Sequence, residues 1–199
     1  MRSPPLDAVV ARVVSSALAQ PPTLGAGRLV CVDGPAGSGK TTLAGALDRG
    51  FRDTLRAAGG PAHVLTVHMD DVYDGWAGLA AGMATFASSV VTPLRTGEPG
   101  RYRRYDWHRA AFVEECIVEP CDVLIVEGVG AAGTDRGGYH DAITVLVWVD
   151  TPSDERLARG LARDGEQLRA HWLAWRAQED AMFARERTRE RADVVVGGA

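Results

Sequence analysis

The sequence predicts an α/β fold, with a parallel β-sheet of about five strands covered by helices on both faces. Two observations carry that prediction. The strand-like runs, such as Leu29-Val-Cys-Val32 and Val123-Leu-Ile-Val126, are apolar at every position instead of alternating, as strands buried on both faces are. Segments with helical periodicity separate these runs, and most runs end at glycine or an acid.

Taken in order, Leu6, Val9, Val10, Val13 and Leu18 fall near one helical face, with Ser3 as N-cap and Pro4 at the first helical position. Ala17-Leu-Ala19 resembles a signal-peptidase site, but Asp7 and Arg12 interrupt the stretch before it, so residues 1–22 read as an amphipathic helix packed on the domain. Arg28–Asp33 is the first strand, and Leu43–Arg56 is a helix stopped by Gly59-Gly60-Pro61. Ala62–Met69 is the second strand and ends in Asp70-Asp71. Residues 76–92 read as mostly helical, Pro93–Gly100 as loop, and Arg101–Trp107 as a basic-aromatic segment followed by a short helix to about Val118.

Asp122–Val126 is the third strand, ending in Glu127-Gly128 before a glycine-rich loop at 129–138. Ala142–Val149 is the fourth, with Asp150 at its end, and Ala192–Val196 is the last. Helices over Ser153–Arg163 and Gln167–Arg187 lie between those two. The expected organisation is one domain over residues 1–199.

Composition narrows the function classes. The 199 residues carry a net charge of −4, against the basic face that non-specific nucleic-acid binding needs. No stretch approaches the roughly 18 apolar residues of a membrane span. Cys31, Cys116 and Cys121 make an odd count without a CxxC pair, so a disulfide framework is not expected and a reducing cytoplasm is. His63 and His68 lie five apart in one strand, on opposite faces, and cannot share a metal. Trp172 and Trp175 read as core or lid packing, and Cys31 as a buried inert thiol. Nothing in the pattern sets an oligomeric state.

Open parallel sheets bind ligands at the carboxyl ends of their strands. There the chain reads Gly34-Pro-Ala-Gly-Ser-Gly39-Lys40-Thr41, the P-loop pattern, between a buried strand and a helix. Gly34, Ala36, Gly37, Ser38, Gly39, Lys40, Thr41 and Thr42 are therefore the expected nucleotide cradle. Glycines let backbone N–H groups wrap phosphates, and the helix N-terminus adds its dipole. Lys40 is the only lysine in the chain, retained where a compact ammonium meets the β/γ-phosphates of ATP. The Thr41 hydroxyl and the strand-end Glu127 are the expected Mg²⁺ ligands. At the end of the second strand, Asp70 could orient an acceptor hydroxyl and take its proton, with Asp71 and Asp106 as alternatives.

The order of Val32–Thr42, Asp70-x-x-Tyr73, Tyr105-Asp-Trp107, Val126-Glu-Gly128, Arg156-x-x-Arg159-x-x-x-Arg163 and Ala192-Asp-Val-Val-Val196 resembles the uridine kinase and phosphoribulokinase group of P-loop kinases. The likeness runs from about residue 28 to the end. It implies transfer of the ATP γ-phosphoryl group to the 5′-hydroxyl of a pyrimidine nucleoside, with Asp70 as catalytic base beside Lys40 and Arg163. Tyr73, Tyr105, Asp106, His108 and Arg159 would then meet the acceptor, and Arg159 and Arg163 would belong to a lid at about 159–170.

Two features depart from the family pattern. His108 follows Trp107 directly, earlier than the family's histidine, and the lid is short. Another acceptor (a nucleoside monophosphate, a vitamin-like alcohol or a secondary metabolite) stays open, as does a non-catalytic nucleotide-binding module. Arg101, Arg103 and Arg104 could bind an anionic acceptor or form a solvated charged strand. A GTPase-type switch is disfavoured, because its Asn/Thr-Lys-x-Asp motif needs a second lysine. An ATP-driven motor would need a larger core and a Leu-Ser-Gly-Gly run, which is absent.

Overall fold

Runs that are apolar at every position need neighbours on both faces, and the chain supplies them. The computed structural model describes residues 4–60, 62–133 and 138–197. The expected Ser3 cap, the Pro61 stop and positions 134–137 of the glycine-rich loop lie outside the described residues. In chain order the elements are α1 (Leu6–Ala19), β1 (Arg28–Asp33), α2 (Lys40–Ala57), β2 (Val64–His68), α3 (Leu79–Phe86), α4 (Thr92–Arg95), β3 (Gly100–Asp106) and β4 (Ala111–Val118). There follow β5 (Val123–Glu127), β6 (Ile143–Val149), α5 (Ser153–Asp164), α6 (Arg169–Glu186), α7 (Thr188–Arg191) and β7 (Val194–Val196).

Five strands form one sheet in the order β2-β5-β1-β6-β7, and every neighbouring pair is parallel. Successive side chains of a strand point to opposite faces, so each strand feeds two cores. Val30, Val32, Val123 and Ile125 pack under α1 and α2, against Val13, Leu47 and Phe51. Leu29, Cys31, Leu124 and Val126 face the other way, toward Tyr73, Phe86 and Trp175. Full burial of such a side chain is worth about 1.5–3 kcal/mol, which favours a register that keeps both faces dry. The register aligns the strand ends: β1 runs beside β5 with Val32 opposite Glu127, and β2 with His68 opposite Glu127.

Three expectations need correction. The first helix begins at Leu6 after Pro5, not at Pro4, and Leu6 is exposed while Val9, Val13, Val14 and Ala17 are buried. The loop expected from Pro93 is helical at its start. A π turn over Ala87–Val91 carries α3 directly into α4, and the Thr92 N–H reaches back to the Ala87 carbonyl. The wider turn accommodates Pro93, which has no N–H to donate.

The helix expected after Trp107 is strand β4, antiparallel to β3. Phe112, Val113, Ile117 and Val118 favour extended backbone, and charge complementarity supports the pairing. Arg104 meets Glu114 at 2.6 Å and Arg101 meets Glu115 at 3.0 Å, while Arg103 donates to the Phe112 carbonyl at 3.0 Å. The three arginines thus serve the hairpin itself. Among the described residues no helix is long and apolar enough to cross a membrane.

Candidate active site

At the end of β1 the chain turns at Gly34 and re-enters helix at Lys40, with Gly39 as the N-cap at φ 96°. A Cβ built on Gly39 would meet nothing within 4 Å, so this backbone borders open space. That space is a cavity of about 240 Å³. Ala36, Gly37, Gly39, Lys40 and Thr41 form its floor. Asp70 after β2 and Glu127, Gly128 and Val129 at the end of β5 form one wall. Arg159, Gly160 and Arg163 of α5 and Trp172 of α6 form the other.

The floor suits a polyphosphate. The first-turn N–H groups of α2 have no intrahelical acceptor, and the helix dipole favours an anion there. Ser38 Oγ is buried with no hydrogen-bond partner among the described residues. Lys40 Nζ donates to the Pro35 carbonyl at 2.9 Å, a bond that a phosphate oxygen can replace. Thr41 Oγ1 donates to Glu127 Oε1 at 3.0 Å, so the two expected metal ligands converge from different elements. An alcohol oxygen and a carboxylate are the hard donors that Mg²⁺ takes. Thr42, also expected in the cradle, follows Thr41 in the first turn of α2 and is exposed.

Two neighbours of this floor were not expected in the site: from sequence Asp33 reads only as the end of the first strand, and His68 only as unable to share a metal with His63. Asp33 is fully buried and accepts three backbone N–H bonds: Gly34 at 2.7 Å and Gly130 at 2.9 Å on Oδ1, and Ala132 at 2.9 Å on Oδ2. It ties the entry of the cradle to the loop after β5. Burial pushes its carboxyl up to about 6, although the three N–H groups and Lys40 pull the other way. His68 is the second. Its Nδ1 lies 2.6 Å from Glu127 Oε1, and that contact raises the imidazole's affinity for a proton.

Asp70 faces solvent through the cavity it lines, yet is ringed by enough protein that lost hydration raises its pKa. Lys40 and Arg163 lower it, while Glu127 and Asp71 raise it further. Asp71, beside His68, is also raised by burial. Arg159 pairs with Glu155 at 2.9 Å and Arg163 with Asp164 at 2.6 Å, and the Arg163 guanidinium lies 5.8 Å from the centre of the Trp172 ring. The segment at 159–170 is the end of α5, a turn at Glu166–Leu168 and the start of α6.

The expected acceptor residues divide. Arg159 lines the cavity. Tyr73 does not: it is fully buried, donates its hydroxyl to the Val129 carbonyl and packs on Trp175. Its place is structural support for the loop that carries Val129. Tyr105 is buried between Trp107 and Phe112. Asp106 caps the hairpin turn, accepting the His108 and Arg109 N–H groups at 2.9 and 3.0 Å, and His108 is exposed. Trp107 instead reaches the site, donating Nε1 to the Asp70 carbonyl at 3.0 Å. Trp172, expected as packing, is buried and also forms cavity wall.

With that geometry in place, residues 29–173 match the Phosphoribulokinase / Uridine kinase family. The chain belongs to that family. Membership makes it a P-loop kinase by descent. Among solved structures, a possible uridine kinase from Bacillus stearothermophilus is 23% identical with a TM-score of 0.66, over 96% of this chain and 99% of that one. A protein provisionally described as a fructose transport system kinase, from Silicibacter sp. TM1040, is 24% identical with a TM-score of 0.61, over 94% of this chain and 98% of that one. At such identities both likenesses concern the fold. A comparison with curated proteins finds no match.

Proposed function

We propose that this protein transfers the γ-phosphoryl group of ATP to a hydroxyl of a small acceptor, the 5′-hydroxyl of a pyrimidine nucleoside such as uridine or cytidine. The observation that carries this reading is the placement of Asp70 in the same cavity as the P-loop and the two arginines of α5. A carboxylate whose pKa is raised by burial is a better proton acceptor than a solvated one, and Lys40 and Arg163 oppose that rise.

In the proposed reaction the acceptor oxygen bonds to phosphorus as its proton passes to Asp70, and the bond from phosphorus to the β–γ bridging oxygen breaks to leave ADP. Lys40 exchanges the Pro35 carbonyl for phosphate oxygens. Arg159 and Arg163 present planar donor forks to the transferred group, and Trp172 keeps that wall dry. Thr41 and Glu127 would hold Mg²⁺, which neutralises phosphate charge when bound.

A second reading keeps the chemistry and changes the acceptor to another polyol, such as a sugar. One observation favours it: Tyr73 and Tyr105, the aromatic residues expected beside a nucleoside, are both engaged in packing. The test is ADP release from Mg-ATP against a panel of nucleosides, nucleoside monophosphates, sugars and vitamin-like alcohols. Release that depends on uridine or cytidine is expected. A signal only with a sugar or other alcohol moves the protein to the second reading. Silence across the panel, with ATP still bound, overturns the kinase reading.

A further inference from the structure

The cradle is gripped from behind by a buried ion pair. Glu179 of α6 is fully buried, and its Oε2 accepts the Ala36 N–H at 2.8 Å. Its Oε1 accepts Arg156 Nη1 of α5 at 3.0 Å. The same Arg156 nitrogen donates to the Ala36 carbonyl at 3.3 Å, and Nε donates to the Thr151 carbonyl at 3.1 Å. Thr151 in turn donates its hydroxyl to the Ser38 carbonyl at 3.1 Å. Between these contacts Gly37 lies so close to α5 that a Cβ on it would stand 2.9 Å from the Arg156 carbonyl oxygen. Both backbone polar groups of Ala36 are therefore held by side chains, from two helices that also supply the far wall of the cavity.

Stability is a poor reason for such a pair. Replacing a buried ion pair by apolar side chains of similar volume is often neutral or stabilising, because two charges no longer lose their hydration. What an apolar pair cannot do is hold a residue by its backbone N–H and its backbone carbonyl at once. Arg156, Arg159 and Arg163 also recur at helical spacing along one stretch of α5, so whatever seats Arg156 seats the cavity arginines.

We propose that Glu179 and Arg156 are positioning residues that hold the P-loop in its anion-binding shape and register α5 and α6 to it. They act through the Ala36 peptide and do not touch the nucleotide. The proposal rests on nucleotide occupying the P-loop.

Calorimetric titration of Mg-ADP into the full chain tests it, with a thermal melt of each variant and the tryptophan emission change at saturating ADP, to which Trp172 of the cavity wall contributes. The Arg156→Met, Glu179→Leu double variant is expected to melt within about 4 °C of wild type yet bind ADP roughly tenfold more weakly, with a smaller emission change. Arg156→Lys keeps the charge but not the fork, so it serves if the double variant fails to fold; it is expected to bind roughly threefold more weakly. Wild-type ADP affinity and emission change in whichever of these variants folds overturns the proposal and leaves the nucleotide reading intact. Absence of ADP binding by the wild-type chain overturns the nucleotide reading, and the proposal with it.

Discussion

His68 Nδ1 stands 2.6 Å from Glu127 Oε1, the same oxygen that accepts the Thr41 hydroxyl at 3.0 Å. The contact joins the last residues of two neighbouring strands, since His68 pairs in register with Glu127. Glu127 is buried and His68 is about half exposed, so the imidazole engages the same carboxylate oxygen that Thr41 meets and competes with a cation for its charge. Removing it by His68→Ala is expected to lower the Mg²⁺ concentration needed for half-maximal ADP binding, by about fivefold at most given the modest worth of a partly exposed pair. Titration of Mg²⁺ at constant ADP measures this, and a higher requirement would show that His68 helps to hold the cation.

Asp70 carries the heaviest chemical load in the proposed reaction. Asp70→Asn keeps shape and volume while removing the proton acceptor. Turnover with an accepted acceptor is expected to fall by at least roughly 10²-fold, with ATP affinity little changed. Steady-state kinetics beside ATP titration separate the two effects. Near-normal turnover would transfer the role to Asp71, on the same turn.

Gly39 offers a contrast between folding and binding. Its φ of 96° costs an alanine about 1–2 kcal/mol, yet the added methyl meets nothing in the folded chain. Gly39→Ala is therefore expected to melt a few degrees lower while losing roughly tenfold or more in ADP affinity, because the methyl points into the phosphate space. Equal losses in an ADP titration and a thermal melt compared as free energies would place the effect in the fold alone.

Asp33 should leave a signature in the pH dependence of stability. Its folded pKa of about 6 lies above the ordinary 3.8, so the folded state binds a proton more tightly than the unfolded state. Stability from this group is therefore present below pH 3.8 and is lost as pH rises toward 6. The difference amounts to about 3 kcal/mol. Asp33→Asn is expected to be less stable at every pH, since the amide NH₂ confronts an N–H donor, and to lack this component. Urea unfolding at pH 4.5 and 7 should show the gap between wild type and variant widening at the lower pH. A constant gap would mean that Asp33 titrates at its ordinary value.

Legibility in the sequence followed distance along the chain. The cradle from Gly34 to Thr41 is local, and its spacing against a buried strand predicted the strand, turn and helix that form. Asp70 and Glu127 were legible because strand ends in a parallel sheet meet at one edge. Arg159 and Arg163 were named through the family resemblance, and their motif lies on α5. Strand β4 was misread because Ala111–Val118 has no clean alternation, and its preference for extended backbone shows only against the arginines of β3. Tyr73 was read for its place after Asp70, but the carbonyl that takes its hydroxyl lies 56 positions away.

By itself the sequence determined the parallel α/β sheet, the P-loop and the acids at the strand ends, because periodicity and motif spacing are properties of a few adjacent residues. Only the tertiary structure decided that His68 meets Glu127, that Asp33 binds the loop after β5, and that Glu179 holds Ala36 from 143 positions away. Those partners lie on different elements, and their meeting depends on the strand order β2-β5-β1-β6-β7 and on the helices that close over it. A buried carboxylate needs donors wherever the fold can bring them, and one chain read in order does not show which distant N–H will arrive.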